Sequence, residues 1–116
     1  MTGTERGGRA SRRPRTPAPR GRVRVVIDGA VVAISVHGVL DAVVGRNLVE
    51  ATEAAVARTP ARIDIDLRAV ESHTDDGAAA LVACRDVGAS LPDGLHYRTT
   101  NGPGGDALLA AFDSAV

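Results

Sequence analysis

Three observations predict an α/β domain built on a mixed four-stranded sheet with about three helices, in the order β-β-α-β-α-β-α. Apolar runs of strand length, rich in Val and Ile, recur near residues 23–27, 30–36, 62–67 and 95–99. Longer stretches at 42–58 and 78–89 are good helix formers, and the first of them repeats its apolar residues at helical spacing. Clusters of Gly, Pro, Asn and Asp separate these segments. With 116 residues, the chain has room for one modest domain.

The first 21 residues stand apart. They are rich in Arg, Pro and Gly and hold no apolar run, so they bury too little surface to offset their ordering entropy and are expected to be disordered. Net charge is zero overall, but residues 1–24 carry +7 and residues 25–116 carry −7. Arg12-Arg13 is followed by no apolar segment of the kind an export signal needs, and no run is long enough to span a bilayer. The domain is therefore expected over residues 22–116.

Val23-Arg24-Val25-Val26-Ile27 predicts the first strand, Asp28-Gly29 a two-residue hairpin turn, and residues 30–36 the second strand. Residues 42–58 put Val44, Leu48, Ala51 and Ala55 on one helical face, with Arg46, Asn47, Glu50 and Glu53 elsewhere. Thr59-Pro60 ends this helix, because the residue before proline disfavours helical backbone. Ile63-Asp64-Ile65-Asp66-Leu67 alternates with a period of two and predicts a half-buried strand over 62–67; Val70 follows after a short break. The second helix spans 78–89, with Asp75 or Asp76 expected to cap it, since a helix N-terminus leaves N–H groups unpaired and favours negative charge. A fourth strand covers 95–99. Residues 101–106 are expected to be a loop leading to a last helix over 107–114.

Composition removes several function classes. All 14 basic residues are Arg. The absence of Lys excludes P-loop nucleotide hydrolysis and Schiff-base chemistry, and counts against a phospho-acceptor receiver domain. Tyr97 and Phe112 are too few to form stacking platforms for single-stranded nucleic acid, so no specific nucleic-acid partner is expected. The single Cys84 allows no intrachain disulfide, suits a cytoplasmic chain, and is expected to be a small packed residue.

Asp64 and Asp66 share a strand face, which is expected to be a polar surface and not a paired-carboxylate site. His73 with Asp75 and Asp76 has the ligand types of a divalent metal site. The glycine-rich residues 101–106 resemble a phosphate cradle only in part, because Asp106 places negative charge where the anion would sit. His37, His73 and His96 fall in no nucleophile-base pattern. The expectation is a chain that is not an enzyme and carries no cofactor.

Two short motifs supply a resemblance. Asp66-Leu67-Arg68-Ala69-Val70, followed after three residues by Thr74-Asp75-Asp76-Gly77, resembles the Asp-Leu-Ser-Gly-Val…Asp-Ser-Ser-Gly signature of STAS domains, the anti-sigma-factor antagonist family. Gly38-Val39-Leu40-Asp41 is similar to that family's Gly-Glu-Leu-Asp. The resemblance covers residues 22 to about 112. It implies a STAS-like fold and a bacterial, cytoplasmic module that regulates transcription by partner switching. In that family the strand-to-helix turn docks on an anti-sigma factor that is also a histidine-kinase-like serine kinase. Phosphorylation of the first motif serine then breaks the complex by adding about −1.5 to −2 of charge.

By position, Thr74 stands for the family's Asp, Asp75 for the phospho-acceptor Ser, Asp76 for the second Ser and Gly77 for the Gly; Asp41 matches the Asp of the earlier motif. These five residues are the candidate partner-binding set. Asp75 has no hydroxyl, so the site is a permanently charged imitation of the phosphorylated state, a switch moved to Thr74 or Ser72, or a turn whose contacts have changed. Ser72 and His73 replace the motif's two usual apolar residues. Two other readings remain open on sequence: a STAS-like accessory subunit of a membrane transport ATPase, and a small ligand- or metal-binding α/β protein using His73, Asp75 and Asp76.

Overall fold

The computed structural model describes residues 21–114, with side chains described through Phe112. The expectation of a disordered tail over residues 1–21 lies, but for Gly21, outside the described residues. The elements run β1 (Arg22–Asp28), β2 (Val31–Leu40), α1 (Ala42–Val56), β3 (Arg62–His73), α2 (Asp75–Gly88), β4 (Leu95–Arg98) and α3 (Pro103–Ser114). This is the predicted order and helix count.

The strands form one sheet in the order β1-β2-β3-β4. The hairpin pair β1/β2 is antiparallel, whereas β2/β3 and β3/β4 are parallel and are joined through α1 and α2. Alternation along the strands selects the core face: Val32, Ile34 and Val36 of β2 and Ile63, Ile65 and Leu67 of β3 are buried. Val44, Leu48 and Ala55 of α1, Ala78, Leu81 and Cys84 of α2, and Ala107 and Ala111 of α3 complete the core. Of the predicted α1 face, Val44, Leu48 and Ala55 are buried and Ala51 is half-buried; Thr52 joins them, and its hydroxyl donates to the Leu48 carbonyl at 2.8 Å. Cys84 is fully buried beside Thr52, and burial pushes its thiol up to about 11.

Several predicted boundaries shift. The hairpin loop is Gly29-Ala30, not Asp28-Gly29, because Asp28 still pairs with Val31 and Gly29 supplies the positive φ of 62°. Strand β2 continues past Val36 to Leu40, α1 stops at Val56, and β4 stops at Arg98. Strand β3 continues past Leu67 to His73 through two irregularities, each inserting one extra residue opposite β2. These bulges break the period of two at Arg68, which made the strand seem to end there. Helix α3 begins at Pro103 and not at Ala107, so all of the expected loop after Gly102 is helical. Pro fits the first helical turn, where its missing N–H would have had no partner.

Candidate functional site

The strand-to-helix turn predicted from the acidic motif is one half of a paired structure. Leu40 and His73 are register partners at the ends of β2 and β3, and the Thr74 N–H donates to the Leu40 carbonyl at 3.0 Å. The chain therefore leaves both parallel strands at the same level, and each strand feeds a helix. Asp41 caps α1: its Oδ1 accepts from the Val44 N–H at 2.9 Å. Thr74 caps α2: its Oγ1 accepts from the Gly77 N–H at 3.1 Å.

The expected capping role of Asp75 or Asp76 is thus corrected. A cap residue needs extended backbone and a side-chain oxygen within reach of the third helical N–H. Thr74, with φ −107° and ψ 168°, has both; Asp75 and Asp76 lie within the first helical turn. There they still oppose the positive end of the helix, but their carboxylates are exposed.

Gly77 explains how close the two helices stand. It is buried against the Leu40 carbonyl and the Asp41 amide, where a Cβ would collide with main chain. Gly45, the fourth residue of α1, packs against Ala80 and Gly77. The five predicted residues therefore meet: Asp41 and Thr74 as caps, Gly77 as the contact between them, and Asp75 and Asp76 on the outer surface. Their arrangement is a ridge of two adjacent helix N-termini with exposed acidic side chains.

One residue of this ridge was not singled out from sequence. Val43, in the first turn of α1, is 55% exposed, whereas the adjacent Val44 is buried. The signal was present: in Ala42-Val43-Val44 only Val44 lies in line with Leu48 and Ala55.

The metal reading does not assemble. Among the described residues, no group of three or more His, Cys, Asp or Glu is placed to hold an ion. His73 directs Nδ1 toward its neighbour's carbonyl, the Thr74 oxygen, at 3.4 Å. Asp64 and Asp66 each take an arginine. Arg62 lies 3.0 Å from Asp64, and Arg68 lies 2.7 Å from Asp66. The Arg68 side-chain hydrogen bonds hold the Asp66 carboxyl below the usual carboxylate range, so Asp66 is not poised to carry a proton. The residues 99–112 border an open groove of about 570 Å³ lined by Thr99, Asn101, Asp106, Leu109 and Phe112. Phe112 there packs edge-on to Tyr97 and lies under the Arg85 guanidinium. His37 and His96 lie on β2 and β4 and take no part in the ridge. Among the described residues, no helix is long and apolar enough to cross a membrane.

No family model matches this chain, and no curated protein matches it. Solved structures do. An anti-sigma factor antagonist from Mycobacterium paratuberculosis superposes with a TM-score of 0.66 at 27% identity, over 82% of this chain and 80% of its own. The structure of Mglu superposes with a TM-score of 0.51 at 17% identity, over 67% of this chain. This chain spans only 19% of Mglu, and that likeness is one of fold alone. The four-stranded mixed sheet with three helices, in the order β-β-α-β-α-β-α, is the STAS-like fold of an anti-sigma factor antagonist.

Proposed function

We propose that this chain is a non-catalytic regulatory module that docks on an anti-sigma-factor or serine-kinase-like protein through the ridge formed by Asp41, Val43 and residues 74–77. One observation carries the reading: the two motifs, 33 residues apart in sequence, converge on adjacent helix N-termini held by the Thr74–Leu40 hydrogen bond. Likeness to an anti-sigma factor antagonist at 27% identity supports the choice of partner.

The ridge works without the usual serine switch. Asp75 offers no acceptor hydroxyl, and the nearest one, on Thr74, is engaged by the Gly77 N–H. Fixed negative charge at Asp75 and Asp76 occupies the surface that phosphate would otherwise charge. The partner is accordingly one whose surface tolerates or complements this charge.

Titration calorimetry tests the reading, using wild type and Asp75→Ser against the anti-sigma kinase recovered by a photo-crosslinker placed at Asp76. A wild-type complex is expected, altered in affinity by Asp75→Ser. Equal affinities would remove any role for the charge, and a crosslinker at Asp76 that captures no such kinase would remove the partner assignment. Incubation with that kinase and ATP is expected to leave Thr74 unmodified by mass spectrometry; phosphate on Thr74 would overturn the switch-free account.

A further inference from the structure

Strand β1 is the edge of the sheet among the described residues, pairing with β2 on one side only. It is also the most apolar exposed segment of the domain. Val25, Val26 and Ile27 are 46%, 55% and 49% exposed, although Val23 at the start of the same strand packs against the core. A long apolar edge with unpaired N–H and C=O groups is a template for another strand, and monomeric proteins usually blunt such edges.

The sequence of β1 is self-complementary. When two copies pair antiparallel about a two-fold axis through Val25, all seven residues find partners. Arg22 then faces Asp28 of the other copy, and Asp28 faces the other Arg22. Val23, Val25 and Ile27, which lie on the helical side with Val36, Ile34 and Val32, face Ile27, Val25 and Val23 of the other copy. That pairing makes one apolar strip across the junction. Arg24 and Val26 fall opposite each other on the far face, where the arginine stem covers the valine. Shifting the axis to Arg24 would set two like charges face to face.

We infer that this protein forms a two-fold dimer by joining β1 edges, giving a continuous eight-stranded sheet with both sets of helices on one side. The occupant of the edge is a second copy, because the charges of β1 complement those of β1 itself. Such an interface is isologous and closes on itself, so it gives dimers and not fibres. It uses no residue of the acidic ridge and leaves both ridges open.

Sedimentation of full-length chains tests this. Arg22→Glu and Asp28→Arg each place like charges opposite one another twice per dimer, and each alone is expected to weaken dimerisation by about tenfold or more. Mixed one to one, the two variants form two attractive pairs again and are expected to yield a heterodimer at near wild-type affinity. That recovery separates a pairing effect from a folding defect. The inference is overturned if wild type sediments as a monomer across the concentration series. It is equally overturned if the single variants dimerise like wild type, or if their mixture stays monomeric. Rescue of Asp28→Arg by Arg24→Glu in place of Arg22→Glu would contradict the Val25 register.

Discussion

Thr74 starts α2 with one hydroxyl, and the consequences of changing it are specific. Thr74→Ala removes the acceptor for the Gly77 N–H and is expected to lower stability by about 1 kcal/mol, whereas Thr74→Ser keeps the cap and most of the stability. Urea unfolding of the three chains measures this; equal midpoints for Ala and Ser would show that the cap contributes nothing. Gly77 makes a stricter demand. In Gly77→Ala the added methyl meets the Leu40 carbonyl and the Asp41 amide, neither of which is a movable side chain. A loss of roughly 1–3 kcal/mol is expected, with the two helix N-termini pushed apart. Thermal unfolding gives the magnitude, and an unchanged midpoint would mean that the turn has room the packing does not show. The Gly was legible in the motif, but its reason was not. A close approach between α2 and the end of β2 joins residues 40 and 77, which no local pattern relates.

At the scale of elements, β3 shows what periodicity finds and what it loses. Ile63, Ile65 and Leu67 alternate cleanly and gave the strand; Arg68, Ala69 and Glu71 break the alternation, yet the ladder runs on to His73. The first irregularity is supported by Asp66, whose Oδ1 accepts from the Arg68 N–H at 2.9 Å while its carboxylate pairs with the Arg68 guanidinium. These bonds favour the ionised carboxylate, so the folded-state pKa lies below the ordinary value of 3.8. The sign follows by linkage: this stabilisation is fully present above about pH 3.8 and disappears as pH falls through the lower folded value. Asp66→Ala is therefore expected to be less stable than wild type at neutral pH, with the gap closing below pH 3.8. Denaturant titrations of both chains over that range check it, and a gap independent of pH would assign the effect to packing. Helix α3 holds Gly104 and Gly105 in its first turn, two residues of low helix propensity. Tertiary contact overrides that propensity where the first turn lies against Leu67.

For the whole molecule, the element order, the sheet and the α1 face were legible because each rests on a strong local period. The ridge was legible only as two separate motifs. That they form one surface depends on β2 and β3 lying side by side and ending together at Leu40 and His73, a fact of topology. Val43 was legible as an outward residue from the helical period, but its place beside the acidic turn follows from the same topology. The fold then gives the ridge its character: two helix N-termini in contact, with exposed acid groups above and one apolar side chain at the edge. The measurement that tests the docking claim most directly is amide hydrogen exchange of this chain, free and bound to the anti-sigma-factor or serine-kinase-like partner proposed above. Docking through the ridge predicts that protection on binding concentrates in residues 41–45 and 73–78. Protection confined to the groove bordered by Thr99 and Phe112 would contradict it.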